Sequence, residues 1–165
     1  MSREKKLARG LGGPRFINVD LEVWSRTDLA DLNDAIQEQA FVLYAGKARR
    51  KYLVSFEARL VRPSSPEKAI WALLTIVDSL PPAARRAWKS AQSRVFNIGY
   101  DGGEFITVLR ERPVGSGQWR AVDPERAASA CETSLSPKLL TAVAKFGGTI
   151  ATTIYPPTRQ ERASK

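Results

Sequence analysis

Read for the spacing of its apolar positions, the chain opens with its clearest signal. In "FINVDLEVW" the residues Ile17, Val19, Leu21 and Val23 alternate with Asn18, Asp20, Glu22 and Trp24, the period of two expected of a strand with one buried face. "SRTDLADLNDAIQ" then changes period. Ser25 or Thr27 supplies an N-cap, Asp28 falls in the first turn, where a helix dipole favours an anion, and Leu29, Leu32 and Ile36 recur at helical spacing. "AFVLYAG" and "KYLVSFEARL" read as two further strands joined through a basic segment, the second placing Tyr52, Val54, Phe56 and Ala58 on one face.

In "SSPEKAIWALLTIVDSL" Ser65 caps, Pro66 takes the first helical position, and Ile70, Leu73, Leu74, Val77 and Leu80 form the stripe of the principal helix. Pro81-Pro82 interrupts it, because proline lacks an amide hydrogen, and "PPAARRAWKSAQ" restarts as a short second helix. "SRVFNIGYDGGEFITVLRE" predicts a strand pair around Gly102-Gly103, and Gly115 to Gln118 a loop. "ACETSL" predicts a strand, Ser136-Pro137 a helix start closed by Gly147-Gly148, and "TIATTIY" a last β-branched strand. The order predicts an α+β fold: a mainly antiparallel sheet with helices on one face, related to the split β-α-β (ferredoxin-like) arrangement, with a pseudo-repeat of β-α-β units. Residues 16–155 form the expected single domain, between a basic flexible N-terminal tail, 1–15, and a flexible C-terminal tail, 156–165.

Composition narrows this picture. At 165 residues, 43% apolar and 26% charged, the chain has the make-up of one globular domain. No apolar run approaches the ~18 residues of a membrane span, and the basic N-terminus lacks the apolar core of a secretory signal, so the expected location is the cytoplasm, away from membranes. Of the net charge of +9, the two tails hold +4 and +2, leaving +3 for the body. The pI therefore speaks to polyanion contact and solubility, not to fold.

The residue that narrows the chemistry most is one the chain lacks. There is no histidine, which removes the usual general base and the imidazole ligands of most zinc and iron sites; the single Cys131 reads as a small core thiol. No phosphate-binding loop or dinucleotide fingerprint occurs, and no catalytic residue, cofactor or metal ligand is assigned. The best acid set is Asp20 and Glu22 on the polar face of the first strand, with Asp101 and Glu104 near the glycine turn; convergence of the four would point to a carboxylate-metal hydrolase, whereas solvated strand and turn positions explain them more simply.

Two basic groups remain. Lys47, Arg49, Arg50 and Lys51 crowd "YAGKARRKYLVSF", and Arg85, Arg86, Lys89 and Arg94 surround Trp88. Cations interleaved with an aromatic ring suit nucleic acid, and four phosphate contacts would give a salt slope near −3.6. A solvated hairpin tip, guarded against aggregation by its charges, accounts for the first group more economically. Trp24 shares the polar face of its strand with Asp20 and Glu22, so a local helix or a protein partner should cover it, the helix being the simpler expectation.

The end of the chain, "SLSPKLLTAVAKFGGTIATTIYPP", with "FNIGYDGG" upstream, resembles a loose group of small bacterial domains of unknown function, some of which look like immunity proteins. The missing imidazole and the lack of clustered reactive side chains predict a non-catalytic cytoplasmic binding protein acting through a protein partner, and the resemblance implies that it is bacterial and immunity-like. The alternative is a nucleic-acid-binding module using the hairpin at 47–51 and the basic helix at 85–94. Oligomeric state is not legible in the sequence.

Overall fold

Strict alternation makes β1 (Arg15–Ser25) a strand with two unlike faces: Val19, Leu21, Val23 and Ser25 are buried, while Asn18, Asp20, Glu22 and Trp24 between them are only partly covered. The computed structural model describes residues 15–60, 65–101 and 133–155. After β1 come α1 (Ala30–Ile36), β2 (Ala40–Ala48), β3 (Lys51–Ala58), α2 (Pro66–Asp78), α3 (Pro82–Ser90), β4 (Ser93–Asp101), α4 (Pro137–Lys145) and β5 (Thr149–Tyr155). Nearly all of these residues belong to one compact unit, Phe16–Tyr100 with Thr133–Thr153. The described residues of a second unit are Arg15, Asp101, Ile154 and Tyr155, of which Arg15 and Asp101 form an ion pair at 2.9 Å.

The five strands form one sheet in the order β2-β3-β1-β4-β5. β3 is antiparallel to both β1 and β2, so β1 and β2, joined through α1, run parallel with β3 between them. Trp24, near the end of β1, accepts a backbone bond from Gln92 just before β4, and Phe16 meets Tyr100 at the other end, so β1 and β4 are antiparallel. At the far edge Thr149 donates to the carbonyl of Arg94 and Thr153 to the Asn97 side chain; position rises on both strands together, and β5 is parallel to β4. The sheet is therefore mixed, as a strand returning through a helical crossover requires.

The helices cover the face that buries Val19, Leu21, Val23, Val54 and Phe56. α2 packs on β3 with α4 beside it, and α1 packs on β2 and α3. The chemistry of the helix starts explains the boundaries. Ser65 accepts from the Lys68 amide and Pro66 opens α2. Ser136 accepts from Leu139 at the start of α4 and donates to Glu67 of α2 at 2.6 Å, which ties two helix N-termini together and holds the Glu67 carboxyl below its usual value. α1 begins later than the expected caps would place it: Ser25 is buried and accepts from the Thr27 amide, while Asp28 accepts from Ala30. No side chain caps its Leu29 start.

Thr133–Ser136 are not in a strand, contrary to the reading of "ACETSL"; Thr133 bonds instead to the Tyr100 hydroxyl. The second half of the expected pair around Gly102-Gly103, the loop at 115–118 and Cys131 lie outside the described residues. Gly147, at φ +68°, closes α4 in the left-handed conformation. At Gly148 the limit is space: an added Cβ would lie 2.7 Å from the Phe96 ring and 3.1 Å from Val143. Gly148→Ala is expected to destabilise the fold by about 1 kcal/mol or more, read as a lower denaturant midpoint at unchanged slope. Among the described residues no helix is long and apolar enough to cross a membrane.

Candidate interaction surface

Side chains alternate across a sheet, so the face turned away from the helices can be read row by row from the strand register. Phe41 of β2 stands opposite Glu57 of β3, and Tyr44 opposite Ser55. Ser55 in turn stands opposite Glu22 of β1, and Leu53 lies between Gly46 and Trp24. The outer column is aromatic and exposed, with Phe41 at 55% and Tyr44 at 43%. Three residues apart on a regular strand, these two rings would point to opposite sides. An irregularity in register between Val42 and Tyr44 puts both on this face, open in the sense that no described helix packs on it.

The inner columns carry carboxylates. Continuing the register from Leu21 and Phe56 sets Asp20 beside Glu57, and the Asn18 amide nitrogen donates to both, at 2.9 Å each. Burial, then repulsion from Glu57, a hydrogen bond with Glu57 and repulsion from Glu22 raise the Asp20 carboxyl from 3.8 to about 6. The Asn18 carbonyl oxygen is buried without a partner. Trp24 is half-buried on this face and donates its indole N–H to Glu22 at 3.2 Å. No described helix lies over it. The expectation of a local helical cover is thus corrected, because the strand alternation that buries Val23 against the helices turns Trp24 to the other side.

The acid quartet of the sequence is not assembled among the described residues. Asp20 and Glu22 share the open face, Asp101 is paired with Arg15, and Glu104 lies outside the described residues. Their close companion is Glu57, which the sequence reading passed over although its odd position in "KYLVSFEARL" already put it opposite the Val54 and Phe56 face. No group of three or more acid, cysteine or histidine side chains among the described residues is arranged to hold a metal ion.

At one end of this face the β2–β3 hairpin closes in two residues, Arg49 and Arg50, between the paired Ala48 and Lys51. Lys47, Arg49, Arg50 and Lys51 are all exposed. Lys47 lies 5.6 Å from the centre of the Tyr52 ring, and its carbonyl accepts from the Tyr44 hydroxyl at 2.7 Å. Arg49 has φ +60°, a conformation that costs a side-chain-bearing residue about 1 kcal/mol and that asparagine tolerates better. Arg49→Asn is expected to raise stability by about 0.5 kcal/mol in thermal unfolding. The native arginine therefore carries a conformational cost at the tip of an exposed loop, where its side chain contributes nothing to the core.

The second basic group sits in the helical layer. Arg85 donates to the carbonyls of Leu80 and Asp78 and so caps the end of α2. Arg94 does the same for α3 through Trp88 and Lys89, lies 5.2 Å from the centre of the Trp88 ring, and is lowered from its ordinary pKa by burial. Trp88 is 5% exposed, so its ring packs the core and offers no platform to a base. Arg86 and Lys89 remain as exposed cations beside an open depression of about 420 Å³. The sequence matches no family of known proteins, and comparison with curated proteins and with solved structures finds no relative.

Proposed function

We propose that this chain is a non-catalytic binding protein that acts through a protein partner, which docks on the open sheet face and the adjoining hairpin. The observation that carries the reading is the placement of Phe41 and Tyr44, both exposed, beside a tip of four exposed cations. Aromatic rings and arginine are the side chains that most often dominate protein interfaces. Leu43, 50% exposed, extends the apolar surface along the edge strand. A bacterial cytoplasmic protein of the immunity type remains the biological setting that the C-terminal resemblance suggests.

The same surface disfavours the nucleic-acid reading. Phosphates approaching Phe41 and Tyr44 would meet Glu57, Asp20 and Glu22 within one or two strands, a like-charge encounter that opposes binding. Capture from a nuclease-treated lysate of the native host tests this. The wild-type chain is expected to retain a discrete polypeptide that Arg49→Glu with Arg50→Glu loses. Retention that disappears with nuclease treatment would assign the tip to nucleic acid instead.

A further inference from the structure

We infer that the open face of the sheet docks a second copy of this chain, turned end for end, so that the cationic hairpin of each copy lies over the carboxylates of the other. The inference rests on reading this face as protein-binding and names the partner. Along β3 the face is polar: Lys51 and the tip stand at one end, and Glu57, beside Asp20, stands at the other, about 20 Å away at strand rise. Glu22 lies between them and adds to the negative half. Arg59 also belongs to the acidic end: it lies over the Phe41 ring at 5.1 Å, donates to the carbonyls of Ala40 and Gln37, and offsets part of the charge of the three carboxylates Asp20, Glu22 and Glu57.

Two copies facing each other through one sheet face can be related by a twofold axis along the strands or across them. The first sets tip on tip and acids on acids, which repels at both ends. The second reverses strand direction and sets each tip on the partner's Glu57 end, which attracts at both, with Tyr44, Leu53 and Trp24 enclosed between. The charge pattern is thus complementary to itself in one arrangement only, and no other partner's pattern is fixed by the chain itself. Five strands about 4.8 Å apart give a face of roughly 500 Å² per copy. That is small for a stable dimer, so association should depend on concentration. The body's modest excess of positive charge works in the same direction.

Sedimentation velocity over a range of concentrations at neutral pH tests this with a charge exchange. The wild-type chain is expected to pass reversibly from its 18.2 kDa monomer to a dimer. Arg49→Glu with Arg50→Glu, and separately Glu22→Lys with Glu57→Lys, should each weaken self-association by at least about tenfold, because the first cancels the charge of the tip and the second makes both ends of the face positive. Mixing the two variants should restore a dimer, since the altered tip of one then meets the lysines of the other at one end, and native tip meets native acids at the other. Should the lysine variant fail to fold, Glu22→Gln with Glu57→Gln removes the same charges at nearly constant shape and should also weaken the dimer. A wild-type chain that stays monomeric throughout, or a dimer indifferent to the tip variant, overturns the inference. Neither result touches the broader proposal, which host capture decides independently.

Discussion

Asp20→Asn is expected to make the protein more stable at pH 8, by about 1 to 2 kcal/mol, and to leave it unchanged near pH 4. The folded-state carboxyl is raised from 3.8 to about 6, so the native state holds its proton more tightly than the unfolded chain does. That contribution is fully present below pH 4 and is lost as pH rises through about 6. Two units correspond to about 3 kcal/mol, reduced here because the group is only half-buried and solvent screens it. Asparagine at position 20 keeps an acceptor for Asn18. It also brings an N–H that can serve Glu57 or the unpartnered Asn18 oxygen, and it never ionises. Urea unfolding of both proteins at several pH values should show the gap opening between pH 4 and pH 6 and staying constant above. A constant gap from pH 4 to pH 8 would mean that the carboxyl pair does not set it.

Phe56→Ala should have the larger effect, a loss of about 3 to 5 kcal/mol, in keeping with truncation of a buried phenylalanine. Phe56 is 0% exposed and faces the helices from β3, flanked by Leu21 of β1 and by Val42 of β2. Its removal leaves a cavity under α2, which rigid strands on both sides cannot close. Because the open face is on the other side of the strand, any residual folded population should keep its surface. Chemical denaturation would register the loss as a lower midpoint, and a change below about 1 kcal/mol would show that the helical layer collapses onto the vacancy.

Much of the architecture was written in local signals. The alternation of Val19, Leu21 and Val23, the Ser65-Pro66 and Ser136-Pro137 helix starts and the double proline before α3 each act within a few residues, and each forms the element it predicts. The interaction surface was only half legible, because it depends on pairing. That Glu57 meets Asp20 follows from the register between β1 and β3, and that Phe41 and Tyr44 share a face follows from an irregularity in β2 that leaves no mark in the hydrophobic period. Trp88 misled for a related reason: among arginines on a short helix it looks exposed, yet Ala84 and Trp88 form that helix's buried side. Sequence shows a ring among cations; only packing shows that Arg94 covers it.

The central claim, that polypeptide docks on the open face beside the hairpin, is tested most directly by placing a photo-crosslinking amino acid at position 44 and, as a control, at the exposed position 141 on α4 in the native host. The account predicts a discrete polypeptide adduct from position 44, either a second copy of the chain or another protein, and none from 141. Adducts of nucleic acid at position 44, or equal labelling from both positions, would contradict it.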